Sequence, residues 1–385
     1  MVAELRAEES AEPRGVALRG LVRLTRERKK SKMMKRTLFA ILTLVALVLT
    51  NIVTPAQAQG ALSATPTTIA GATLDGLPAT ASSPPGVSPE VFFDEATGTY
   101  YLWTTDNPAK MYTSKDGTSW SAVAGATLPD GFDWSIVKLG PANYRMYFAA
   151  INPNAASEVE CSKQRKELRY ATSTNLTNWV TQPGALVTSI GCGVPHVLRK
   201  PDGTYLLYYN SMEPQHGMYI ATSPDGLTWT KRPGIIANDP NLVDPAPLQM
   251  PDGTYLMIAS TTGAPLPGST TQTSQQLRIL SSTDAISWSL RNQPLLAPQG
   301  VSVLDPALKL IGQQLRVWYG YAPGGNHANS RITSGVLTLK AGTVDTATPT
   351  ATKTKSCKKV GEQRQHKGAM YTCKKVKGKL IWVKS

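Results

Sequence analysis

Five tripeptides stand at matched places in five related stretches of the chain: Ser88-Pro89-Glu90, Asp133-Trp134-Ser135, Val194-Pro195-His196, Asp244-Pro245-Ala246 and Asp305-Pro306-Ala307. Each opens a β-rich segment. Side chains two apart on a strand share a face, so each segment offers one ionisable group to a common space: Glu90, Asp133, His196, Asp244 and Asp305. Convergence of four carboxyls makes acid–base chemistry available. Mutual repulsion raises one pKa and keeps that acid protonated near neutral pH, while an ionised partner activates water or attacks. An Asp ahead of Pro at a strand start also has a structural use, accepting main-chain N–H groups to cap a turn. Residue types and spacing leave both uses open.

The elements that must position these groups are repeated. A strand-turn-strand unit occurs as VFFDEATGTYYLW (91–103), IVKLGPANYRMYF (136–148), VLRKPDGTYLLYY (197–209), PLQMPDGTYLMIA (247–259) and LKLIGQQLRVWYG (308–320). Each unit is read as having a turn of Pro-Asp-Gly type, spelled out at 201–203 and 251–253, which supplies the positive φ that a tight hairpin needs. A second motif follows four of the units: SKDGTSW, STNLTNW, SPDGLTW and STDAISW, ending at Trp120, Trp179, Trp229 and Trp288. Ser and Asp (or Asn) in such a turn cap local N–H groups and the Trp packs between neighbouring sheets, so this motif is read as structural.

Five units over about 280 residues leave about 56 each, enough for four strands apiece, and helical periodicity is absent. The expected fold is therefore all-β, a five-bladed β-propeller over residues 61–342, since a radial array leaves only short edges exposed. A two-sheet sandwich does not account for a period above 50. Closure is expected to pair an early strand near 67–73 with a last strand at 332–340, and the innermost strands should ring the mouth of a central channel.

Further candidates lie near that mouth. Trp103 and Trp134 are rings that could stack on a ligand, with core packing the alternative. Glu213 and His216 stand in the loop NSMEPQHGMY, and His327 in the loop GYAPGGNHANS. Arg145 and Arg316 occupy the same place in two hairpins, where salt bridges between blades would explain them. No P-loop, GxGxxG, GxSxG or HExxH motif occurs, which disfavours nucleotide, α/β-hydrolase and zincin chemistry.

The net charge of +14 is unevenly placed. Residues 1–36 carry 11 basic and 5 acidic side chains and residues 353–385 carry 11 and 1, leaving 18 and 20 in the nearly neutral body. Charged residues at 17% exclude a coiled coil, and 41% apolar content argues against wholesale disorder. RERKKSKMMKR, then LFAILTLVALVL, then a small-x-small site at Ala56-Gln57-Ala58 form a secretory signal in the expected order. Residues 1–58 are thus read as an N-terminal extension and signal peptide, with translation starting alternatively at Met33 or Met34. The apolar run is too short for a permanent membrane helix, so no transmembrane anchor is expected after cleavage. Export makes two disulfides an expectation, Cys161 with Cys192 and Cys357 with Cys373, and makes nucleic acid an unexpected partner. A Thr/Ala/Pro linker over 343–355 leads to a basic Cys-pair module at 356–385, expected as a disulfide-stapled hairpin of AMYTCKKV and KLIWV.

The combination of x-D-P at unit starts, PDG-T-Y-x-L-Y-Y and S-x-D-G-x-x-W resembles the five-bladed propeller glycoside hydrolases, the arabinanase, xylosidase and fructosidase group, over roughly 82–340. The turn motif is also similar to the Asp-box of sialidases, one residue shorter and in a fold of five units, not six. What the main resemblance implies is a secreted glycosidase acting on a poly- or oligosaccharide. It implies an Asp base in blade one, a pKa-tuning Asp in blade three and a Glu acid opening blade four. Those places here read Ser88-Pro89-Glu90, Val194-Pro195-His196 and Asp244, so only the last keeps a carboxylate at the matching place, one methylene shorter. The catalytic set is accordingly expected among Asp244, Asp305, Asp133 and Glu90, with Asp244 as proton donor. Substrate contacts are expected from His196, Trp134, Trp103, Glu213 and His216. The resemblance also implies a central ion, calcium or another, held by a histidine of the His327 region; no cofactor is otherwise required. The alternative is a non-catalytic carbohydrate-binding or cell-surface propeller. The tail resembles short Cys-pair modules of exported actinobacterial proteins, and its charge makes anionic cell-envelope polymers its expected partner.

Overall fold

The computed structural model describes residues 62–152, 166–212, 214–263, 274–342, 359–366, 369–376 and 379–384. The expected signal segment, Cys161, Glu213, the linker 343–355 and Cys357 lie outside them. No helix among the described residues is long and apolar enough to cross a membrane.

The first described element is a short helix, α1 (Pro66–Ala70), followed by β1 (Thr73–Gly76). The early strand expected near 67–73 is thus displaced toward the C-terminus. Thr65 caps α1 and exchanges a capping box with Thr68, and Pro66 sits in the first turn where its missing N–H costs nothing. Blade one is β2 (Val87–Asp94), β3 (Thr99–Thr105), β4 (Lys110–Ser114) and β5 (Ser121–Ala122). Blade two is β6 (Phe132–Gly140), β7 (Asn143–Ile151), β8 (Lys166–Ser173) and β9 (Val180–Thr181). Blade three is β10 (Gly193–Arg199), β11 (Tyr205–Ser211), β12 (Gly217–Ser223) and β13 (Thr230–Lys231). Blade four is β14 (Leu242–Gln249), β15 (Tyr255–Thr261), β16 (Leu277–Ser282) and β17 (Ser289–Leu290). Blade five takes β18 (Val301–Ile311), β19 (Gln314–Pro323) and β20 (Arg331–Thr338), and its outermost strand is β1, paired antiparallel with β20 from Thr73↔Thr338 to Gly76↔Gly335. The two ends of the propeller therefore close one sheet, which removes an open edge.

Five apolar clusters fill the gaps between consecutive blades. Trp103, Met146 and Trp179 lie between blades one and two, Tyr147, Leu207 and Ile190 between two and three, Tyr208, Met257 and Trp288 between three and four. Ile258, Ile279 and Val317 lie between four and five, and Leu102 with Trp318 between five and one. The recurring turn has the expected structural use. Ser114 Oγ accepts the N–H of Gly117 at 2.8 Å, and Asp116 Oδ1 accepts those of Thr118 and Ser119 at 2.7 Å each. Those bonds hold the Asp116 carboxyl well below the usual range. The same geometry recurs at Ser173 with Asn175, Ser223 with Asp225 and Ser282 with Asp284. Three of the motif tryptophans pack edge-on against an aromatic ring of the preceding blade, Trp179 on Trp103, Trp229 on Tyr147 and Trp288 on Tyr208.

Arg145 and Arg316 join blades differently from the expected salt bridges. Their guanidinium groups donate to main-chain carbonyls of the next blade's turn, Arg145 to Asp225 at 3.1 Å and Arg316 to Asp116 at 2.6 Å. The Asp carboxylates there are already committed to local N–H groups, so the carbonyls are what the turn presents.

The C-terminal module is a sheet of β21 (Gln363–His366), β22 (Ala369–Val376) and β23 (Lys379–Lys384), one strand more than the expected hairpin. Buried Cys373 stands opposite Trp382. Cys192 and Cys373 are each engaged in a disulfide; the partners expected for them, Cys161 and Cys357, lie outside the described residues.

Candidate active site

Every innermost strand carries a β-bulge at its start. Register shifts fall between Val87 and Glu90, Phe132 and Ser135, Gly193 and His196, Val243 and Ala246, and Leu304 and Ala307. The bulged residues Ser88, Asp133, Val194, Asp244 and Asp305 all have positive φ, between 48° and 56°. Asp tolerates this region better than most side chains; a β-branched Val there is strained, at a cost on the order of 1–3 kcal/mol. A bulge re-aims a side chain, and here five of them turn inward together. The resulting axial cavity is lined by the five tripeptides, with Ser88, Glu90, Asp133, Trp134, His196, Asp244 and Asp305 among them. Its volume is about 20 Å³, room for one water molecule, so a larger ligand would meet the ring from the mouth.

The ring carboxyls sit in unequal environments. Asp244 is buried, and its Oδ1 accepts the Asn210 amide at 3.0 Å. Burial pushes its pKa well above the ordinary value, and the neighbouring Asp305 adds to this by charge and by a carboxyl–carboxylate hydrogen bond. Asp305 Oδ2 accepts the N–H and the hydroxyl of Ser88, at 3.1 Å each. Asp133 accepts the Val194 N–H at 3.3 Å and the Thr105 hydroxyl at 3.4 Å. Its pKa is raised to about 6, first by burial and then by the charge of Asp305, with Ser88, Lys166 and the Val194 N–H opposing.

Glu90 lies in the same cavity but is tied down. Its Oε1 accepts the Ile136 N–H at 3.0 Å and pairs with Lys309 at 3.2 Å, so it links blade one to blades two and five. Burial raises its pKa against the pull of Lys309. His196 lines the cavity as a neutral imidazole. Burial and then the Lys309 charge lower its pKa to about 3.

The other expected contacts divide. Trp134 lines the cavity and is 4% exposed. Trp103 is 0% exposed in the core between blades one and two, so no face of its ring is free to stack and the expectation of a substrate contact is corrected. The His216 ring bonds the Pro240 carbonyl and is not among the residues that line the axial cavity. His327 is exposed in a short 3₁₀ turn and lines a recess with Thr262, Gln275 and Ser302, apart from the axial cavity. Among the described residues no group of three or more His, Cys, Asp or Glu side chains is placed to hold a metal ion. Missed from the sequence were Thr105, Asn210 and Ser260, whose side chains accept the N–H groups of Asp133, Asp244 and Asp305 at 2.9, 3.2 and 2.9 Å. Their signal was available: all three occupy one position, the end of the second strand, when the blades are aligned.

This ring at one mouth of an all-β, five-bladed propeller defines the class of fold. Solved structures share it. An endo-arabinase from Bacteroides thetaiotaomicron matches with a TM-score of 0.54 and 14% identity over 69% of this chain and 98% of its own. An exo-1,5-α-L-arabinanase from a bovine ruminal metagenomic library matches at 0.52 and 14%, over 69% and 99%. A xylan β-1,4-xylosidase from Bacillus halodurans matches at 0.51 and 12%, over 69% and 57%. At these identities the likeness is one of fold. No family model matches the chain, and no curated protein does.

Proposed function

We propose that the protein is an exported glycoside hydrolase acting on a poly- or oligosaccharide presented at the mouth of the axial ring. The observation that supports this reading is the inequality of its carboxyls: Asp244 is held protonated beside Asp305, while Asp133 titrates at about 6 two blades away. Asp244 gives its proton to the leaving oxygen as the glycosidic C–O bond breaks, and Asp133, ionised above pH 6, is the partner that activates water or attacks the sugar carbon. Asp305 stands too close to Asp244 to flank the same bond and acts by raising its pKa. Arabinanase and xylosidase activity in proteins of this fold makes furanosides and pyranosides the substrates to try first.

The test is a screen of the chain from Gln59 against aryl furanosides and pyranosides. Hydrolysis by the wild type should fall at least about 100-fold in Asp244→Asn; full activity in that variant removes the assignment. A propeller that binds saccharide without cleaving it is the second reading, favoured by the water-sized ring and by the main-chain bonds of Asp133 and Asp305. Calorimetric binding without turnover of any substrate would select it.

The basic segment 353–385 supports retention on anionic cell-envelope polymers. Equal release of the full chain and a chain ending at Lys340 into low-salt medium would exclude this.

A further inference from the structure

Each bulge leaves a main-chain N–H at the ring that needs an acceptor. In three of the five gaps the end of the preceding blade's second strand supplies it: Thr105, Asn210 and Ser260. The same strand position is Ala149 in blade two and Gly320 in blade five, aligned by their pairing with Phe132 and Leu304. Neither has a polar side chain. In those two gaps, and only there among the described residues, the N–H is taken by the ring aspartate of the preceding blade. Asp133 takes that of Val194, and Asp305 that of Ser88. Asp244, in a gap already closed by Ser260, accepts no main-chain N–H from a described residue.

We propose that Ala149 and Gly320 are positioning residues: by offering no acceptor, they commit the carboxylates of Asp133 and Asp305 to the main chain of the next blade, whereas Asp244, held by side chains, is the one ring aspartate that takes no main-chain N–H from a described residue. The commitment is geometric and carries an electrostatic consequence. A bond from an N–H favours the ionised form, so it opposes the burial and the Asp305 charge that raise the Asp133 pKa. Lys166 and the Ser88 hydroxyl act in the same direction as the N–H; Glu90, paired with Lys309, and neutral His196 share the cavity. The division of labour rests on the hydrolase reading for its kinetic meaning, but the bonding rule does not.

The experiment is a carboxyl and amide NMR titration of the full mature chain. In the wild type the Val194 amide proton should follow the ionisation of Asp133, with a midpoint near 6. Ala149→Ser provides a hydroxyl where Thr105 and Ser260 have theirs. It should uncouple the Val194 amide and move the Asp133 midpoint up by about half a unit or more. Ala149→Gly, which adds no acceptor, should move neither. A Val194 amide indifferent to Asp133 in the wild type overturns the proposal even if the serine variant does not fold, as does an unmoved midpoint in Ala149→Ser. On any glycoside the wild type cleaves, the acid limb of the pH–rate profile should move with the midpoint. A moved midpoint in a protein that cleaves nothing keeps the bonding rule and removes the hydrolase reading; an active enzyme with an unmoved midpoint does the reverse.

Discussion

Asn210 and Asp244 exchange two hydrogen bonds across the gap between blades three and four: the amide of Asn210 donates to Asp244 Oδ1 at 3.0 Å, and Asn210 Oδ1 accepts the Asp244 N–H at 3.2 Å. One side chain thereby fixes both the backbone and the carboxyl of the proposed acid. Asn210→Ala leaves a buried N–H without its acceptor, and a cost of about 1–3 kcal/mol is expected in urea denaturation. Asn210→Ser retains an oxygen of the kind that serves at Ser260 and should recover at least half of that loss. Equal stability of the alanine variant and the wild type would contradict this.

Removing the Asp244 carboxyl should separate stability from function. Its charged form is disfavoured by burial and by Asp305, so Asp244→Asn relieves repulsion while keeping an amide that Asn210 can bond. Its melting temperature should equal or exceed that of the wild type at pH 8, while hydrolysis is lost. A variant that is both less stable and inactive would point to a structural role.

Asp133 predicts a pH dependence of stability. With a folded pKa of about 6 against 3.8 in the unfolded chain, the folded state holds more protons than the unfolded state in that window. Stability attributable to this group is therefore fully present below pH 3.8 and is lost as pH rises through 6. A rise of 2.2 units at 1.36 kcal/mol each corresponds to about 3 kcal/mol. Denaturation at a series of pH values should show this fall, and Asp133→Asn should flatten it. An unchanged slope in the variant would refute the assignment.

The seam between blades five and one should be the more sensitive of the two arginine joints. Arg316 is 8% exposed and bonds the Asp116 carbonyl at 2.6 Å, beside the Trp318 indole bond to Gly117 at 2.8 Å. Arg145 makes the matching bond from a more open site at 3.1 Å. Arg316→Met is expected to cost about 1.5–3 kcal/mol, and Arg145→Met less. Paired denaturation curves giving the reverse order would show that the closure seam does not depend more on its arginine than the seam between blades two and three.

The sequence by itself determined the repeat, the blade count and the membership of the ring. The signals for these are local: a Pro-Asp-Gly turn, a serine capping the N–H three residues on, and a tripeptide opening each unit. Such chemistry works within a few residues and is legible in one dimension. It also held the answer to α1, since Thr65, Pro66 and Thr68 are a helix start that strand expectation overrode. Only the tertiary structure decided what each ring residue does. Asp305 and Ser88 are bonded across 217 positions of chain, Lys309 reaches Glu90 across 219, and Trp103 is closed off by Trp179 of the next blade. Whether a carboxyl serves a backbone N–H or keeps its proton depends on what the adjacent blade offers at 3 Å. That neighbour is set by closure of the ring, which no local spacing contains.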